Sequence, residues 1–184
     1  MRWPPPLPGR TRWAWLLGTR FRAWRVGRLL RLLEGRVPSG ITVLDAGSGP
    51  GFVSAGLLRR VPEGDRRWIL LDPQRGMWPA SRRGTVPHAP PGFRPERVVG
   101  DASDLPIRSE SVDLLLSLGV FCCMKDSAIP GAIAEAARVV KPGGLMLFGV
   151  PPWRGSEDEA RLERAGFRAV VRRRRGRSLL QKTL

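Results

Sequence analysis

The 184-residue chain contains no tyrosine, one histidine (His88), and two cysteines that are adjacent, Cys122 and Cys123. Neighbouring cysteines cannot easily bridge each other, so no disulfide framework is implied and a reducing, cytoplasmic setting fits. The pair reads as two small buried side chains. Lysine is scarce too: Lys125, Lys141 and Lys182 are the only three, and arginine supplies the other cations. No apolar stretch is long enough to cross a membrane as a helix; the longest, 114–124, falls well short of about 20 residues. The N-terminus lacks a seven-residue apolar core, so no signal peptide is expected.

Hydrophobic residues make up 42% of the chain and seven are Trp, which excludes a wholly disordered polymer. The length suits one domain with one core. The net charge of +16 sits at the two ends. Residues 1–37 hold nine Arg against Glu34, residues 164–184 hold seven Arg and Lys182 with no acid, and 38–163 are neutral. The basicity therefore belongs to the termini rather than to the middle.

The organising stretch is 41–51, ITVLDAGSGPG. It reads as a buried strand from Ile41 to Leu44, an acid at its carboxyl end (Asp45), a loop with Gly47, Gly49 and Gly51 around Ser48, and a helix from Phe52. Alternate glycines let the backbone turn sharply and approach a ligand with no Cβ in the way. Free amides of the loop and of the next helix's first turn would make an anion site. A dinucleotide fingerprint would need a small residue at 52, where Phe52 stands. A second buried strand, 68–71, ends at Asp72, an acid placed to accept both hydroxyls of a ribose.

Together these features resemble motif I and the following acid of class I S-adenosylmethionine (SAM)-dependent methyltransferases. RVVGDASDLPIRSESVDLLLSL (97–118) and VVKPGGLMLFGV (139–150) are similar to later motifs of the same family, in the expected order. The wording is closest to enzymes acting on ubiquinone and menaquinone precursors. The resemblance implies an α/β fold: a Rossmann-like, seven-stranded, mostly parallel sheet with an antiparallel last strand and helices on both faces. It implies SAM as cofactor, held by Asp45, Gly47, Ser48, Gly49, Gly51, Asp72, Pro73, Asp101, Ala102, Ser117 and Leu118. Asp101 would accept from the adenine amino group and Ala102 N–H would meet a ring nitrogen. Residues 117–121, after the fourth strand, would face the sulfonium methyl, and Asp113 would only position a turn.

The remaining segments are expected to form a helix over 127–140, a turn at Gly143-Gly144, a short acidic helix over 157–165, and a terminal hairpin of 167–171 with 178–183. Prolines at 73, 79, 87, 90, 91 and 95 break any long helix after Asp72, and His88 in that loop reads as solvent-exposed. No His or Tyr stands near the fourth strand to act as a base, so no catalytic residue is assigned and no metal is expected.

The division expected is 1–37, a basic Trp/Arg-rich arm with two short helices broken near Gly27, and 38–184, the SAM-binding domain. The first helix could cover the site or lie on an anionic membrane, giving a peripheral membrane location; equally, both helices could be ordinary packing helices. The function expected is methyl transfer to a small, hydrophobic or lipid-like acceptor. The alternatives are a nucleic-acid methyltransferase whose basic ends clamp phosphates, and a SAM-binding fold without catalysis.

Overall fold

The computed structural model describes residues 27–61, 64–75, 89, 93–149, 155–173 and 177–183. The first N-terminal helix, His88, most of the proline-rich segment and Pro151-Pro152-Trp153 lie outside them.

Short continuous apolar runs make strands that are covered on both faces. Of this kind are β1 (Ile41–Ala46), β2 (Arg66–Asp72), β4 (Val112–Leu118) and the end of β5 (Val140–Gly149); β3 (Glu96–Val99) and β6 (Phe167–Arg173) are more exposed edge strands, and β7 (Arg177–Lys182) completes the set. They form one seven-stranded sheet in the order β3-β2-β1-β4-β5-β7-β6. The pairs among β1 to β5 are parallel, and β7 runs antiparallel to both β5 and β6. The helices are α1 (Phe52–Leu58), α2 (Ile129–Val139) and α3 (Gly155–Arg164).

Strand alternation sorts the core into two layers. Leu44, Leu71, Leu115, Met146 and Phe148 point to the side covered by Ile129, Ile133 and Ala136 of α2 and Leu162 of α3. Val43, Trp68, Leu114, Leu116 and Leu147 point to the other, covered by Leu57 of α1 and by Leu29, Leu30, Leu32 and Leu33. Residues 27–33 are helical, and their leucines belong to the same cluster as the sheet. The second N-terminal helix thus packs on the domain, as its pattern of Leu29, Leu30 and Leu33 requires.

Two polar clamps set the loops. Arg138 is held by both carboxylate oxygens of Glu135 (2.7 Å each) and donates to the carbonyls of Leu105 and Ile107 (2.9 Å each). Glu135 also accepts from Leu105 N–H at 2.7 Å, so α2 grips the link between β3 and β4. Asp113 accepts from Thr42 N–H at 2.9 Å and pairs with Lys141 at 2.7 Å. It is a structural acid, as the family resemblance implies.

Several bounds differ from expectation. β2 starts at Arg66 rather than at residue 68, because Arg66 donates to the carbonyls of Val37 and Pro38 while Arg67 pairs with Glu96 on β3. Lys-Pro-Gly-Gly is an irregularity inside β5 rather than a turn before it. Val112 pairs with Val140 and Leu114 with Leu145, so residues 141–144 bulge opposite Asp113, and Gly143 takes a φ of 76°. β4 runs through Leu118, which places Ser117 and Leu118 within the strand rather than after it.

Candidate functional site

In an open α/β sheet the ligand crevice lies beyond the carboxyl ends of the strands, where the connection order reverses. Here that point falls between β1 and β4, since the chain runs outward through β2 and β3 and then returns to β4. The loops meeting there are 47–51, 73–74, 100–102 and 119–120.

Asp45 is 2% exposed near the end of β1. The Ser54 hydroxyl, on the first turn of α1, donates to it at 2.6 Å. Burial pushes its carboxyl up to about 7; the hydroxyl and the amide of Ser54 pull the other way, and the charge of Asp72 adds slightly to the rise. Asp72 ends β2 at 7% exposure. Its two oxygens accept from Gly49 N–H (2.9 Å) and Gln74 N–H (2.8 Å). Burial raises its pKa, against the pull of those two hydrogen bonds.

Further bonds overturn the expectation that the loop's own amides are free. Gly47 and Ser48 N–H both donate to the Leu71 carbonyl (2.8 and 2.9 Å), and Gly51 N–H donates to the Ser48 carbonyl at 2.9 Å. With Gly49 bound to Asp72, the loop has turned its amides back onto β2 and itself. What it offers a ligand is backbone at its three glycines, since Ser48 is buried and Pro50 is the one remaining side chain of the loop. Gly47, Gly49 and Gly51 all take positive φ (71°, 52° and 89°), where other residues are strained.

The other expected residues assemble around this loop. Gly100 N–H donates to the Asp72 carbonyl at 3.4 Å, bringing the end of β3 alongside. Asp101 accepts from both the amide and the hydroxyl of Ser103 on one oxygen, 2.9 and 2.8 Å away. Ala102 packs on the core and Pro73 is half-buried. Ser117 is 3% exposed and pairs with Phe148; Leu118 pairs with Gly149. Both lie at the carboxyl end of β4.

Sequence reading did not name Ser54 and held Val120 only within the stretch 117–121. Ser54 is an unremarked helix residue until the fold sets it against Asp45. Val120 matters because a Cβ on Gly47 would lie 2.6 Å from its Cγ2. Gly47→Ala should therefore lose about 2–4 kcal/mol, combining a left-handed backbone with overpacking. Denaturant unfolding checks this: Val120→Ala in the Gly47→Ala background should recover about half the loss. No recovery would show that the crowding is not with Val120. The cysteine expectation is corrected as well: Cys122 and Cys123 are exposed. The 3₁₀ turn Phe121–Cys123 turns Phe121 inward against Phe148 and leaves the next two residues outside.

A methyltransferase domain family matches residues 43–144, which spans β1 through the bulge of β5. That is more than half of the chain. The chain belongs to this methyltransferase domain family. Among curated proteins, it is 36% identical over 112 residues to a malonyl-[acyl-carrier protein] O-methyltransferase of Methylococcus capsulatus, covering 60% of this chain and 38% of that protein. It is 34% identical over 106 residues to a ubiquinone/menaquinone biosynthesis C-methyltransferase of Dinoroseobacter shibae, covering 57% of this chain and 40% of that one. The chain thus spans about two fifths of the length of these relatives. Among solved structures, a TehB-like SAM-dependent methyltransferase from Corynebacterium glutamicum superposes with a TM-score of 0.66 at 20% identity, covering 91% of this chain and 96% of that chain. At that identity the likeness speaks for the fold, a Rossmann-like methyltransferase sheet.

SAM is the cofactor that goes with this family and fold, and the methyltransferase domain's residues fit it. Gly47, Gly49 and Gly51 put left-handed backbone with no Cβ at the switch point, so backbone can border a ligand there. Asp72 keeps acceptor capacity beside that loop, since each carboxylate oxygen can take more than the one hydrogen bond it receives.

Proposed function

We propose that this chain transfers a methyl group from SAM to a small acceptor of acyl or quinone-precursor type. Asp72 carries the reading. It is a buried acid at the end of β2, fixed by two backbone amides beside a glycine-rich loop, and it suits a vicinal diol. The curated relatives, named for malonyl-carrier and quinone-precursor methylation, support the acceptor class.

Bound SAM supplies a sulfonium-activated methyl, so the protein's work is alignment and exclusion of water. Asp72 would hold the ribose, with the glycine loop as the floor beneath it. Asp101, whose carboxylate is oriented by Ser103, and Ala102 would border the base. Val120, which stands over Gly47, would flank the acceptor. Attachment to an anionic membrane through the basic N-terminal segment belongs to this reading, because it would deliver apolar acceptors.

The test measures S-adenosylhomocysteine release on incubation with SAM and a panel of malonyl thioesters and quinone-precursor phenols, alongside RNA. Turnover on a thioester or phenol is the expected result. Turnover on RNA alone would replace the acceptor, and SAM binding without any product would favour a non-catalytic role.

A further inference from the structure

The methyl-transfer reading makes no use of the two thiols. Cys122 and Cys123 are the only cysteines of the chain. Both are exposed, on the 3₁₀ turn just beyond β4. Their Sγ atoms lie 3.9 Å apart, at 3.3 and 3.4 Å from the Gly119 carbonyl oxygen. The turn is anchored: Phe121 is buried edge-on against Phe148 with ring centroids 5.2 Å apart, and Cys123 N–H donates to the Val120 carbonyl at 2.8 Å. Two sulfurs are thus presented together from a fixed backbone, next to the residue that covers Gly47.

We propose that Cys122 and Cys123 form a two-sulfur site for a trivalent arsenical. Soft thiolates select soft centres. A linear two-coordinate ion needs its sulfurs on opposite sides, whereas these lie on the same side. Tetrahedral zinc needs four ligands, and among the described residues no group of three or more His, Cys, Asp or Glu is placed to hold a metal. A pyramidal trivalent arsenic takes two sulfurs on one face and carries its third substituent outward, which matches an exposed vicinal pair.

With phenylarsine oxide as the probe, two As–S bonds form as the arsenic–oxygen bond breaks. The two thiol protons leave with that oxygen as one water, and arsenic stays trivalent throughout. The site is independent of methyl transfer, so its test needs no SAM. Intact-protein mass spectrometry after desalting should show one phenylarsenic group per chain. The adduct should resist excess glutathione, a monothiol, and be removed by a dithiol. Cys122→Ser and Cys123→Ser should each retain the adduct at least tenfold less; the alanine variants serve if a serine variant fails to fold, as judged by its melting curve. The proposal is overturned if the reduced wild-type chain, with both thiols reactive towards a chromogenic disulfide, forms no adduct. An adduct held equally well by a folded single variant overturns it too.

Discussion

Replacing Asp72 with alanine should weaken SAM binding by at least about 100-fold in calorimetry, the loss expected when charge-assisted hydrogen bonds worth about 1.5–3 kcal/mol each disappear. The same substitution should also cost stability. Gly49 and Gln74 N–H both end on this carboxylate, and a buried donor without an acceptor costs about 1–3 kcal/mol. Asp72→Asn separates the two effects. Its amide oxygen can still accept a backbone amide, so the melting temperature should stay closer to that of the wild type. Its affinity for SAM should still fall about tenfold or more, because the charge is gone. Wild-type affinity in Asp72→Asn would remove the ribose assignment, and the methyltransferase reading of the cleft would lose its anchor.

The second large effect is a pH dependence of stability centred on Asp45. Its carboxyl is pushed up from 3.8 to about 7, chiefly by burial. Between those values the folded protein holds a proton that the unfolded chain has released. Raising the pH through about 4 to 7 therefore lowers stability, and above 7 the loss is complete and the curve flattens. At about 1.36 kcal/mol per pH unit, the full change is about 4 kcal/mol. For a domain of this size that is on the order of 8–16 °C in melting temperature. Asp72 is raised in the same direction and adds to the slope. Asp45→Asn, which mimics the protonated acid and can still accept from Ser54, should be less sensitive to pH than the wild type and more stable than it at pH 8. Melts at pH 5 and pH 8 decide the matter. Parallel curves for the two proteins would mean that Asp45 ionises in the fold as it does in water.

Much of the architecture was legible because local pattern and global packing agree. ITVLDAGSGPG places a strand, an acid and three alternating glycines in one short run, and the structure gives each glycine a positive φ. Apolar runs such as 68–71 and 114–116 lie between helices on both faces, which is why they show no polar alternation. The strand starts were harder to read. Arg66 and Arg67 look like loop residues, yet they belong to β2 because their guanidinium groups find partners on Val37, Pro38 and Glu96. Cys122 and Cys123 look like core residues by type, but a three-residue helical turn spends its one inward position on Phe121.

By itself the sequence determined the order of the strands and acids, the glycine loop and the family, since these depend on residue type and short spacing. Only the tertiary structure decided where the loop's amides point, why the pKa of Asp45 is raised, what crowds Gly47, and that the two thiols face outward. Each of these depends on groups far apart in the chain: Leu71 and Asp72 against residues 47–49, Ser54 against Asp45, Val120 against Gly47, and Phe148 against Phe121. A hydrogen bond or a steric contact depends on ångström-scale distance, which sequence spacing does not specify until the sheet has closed.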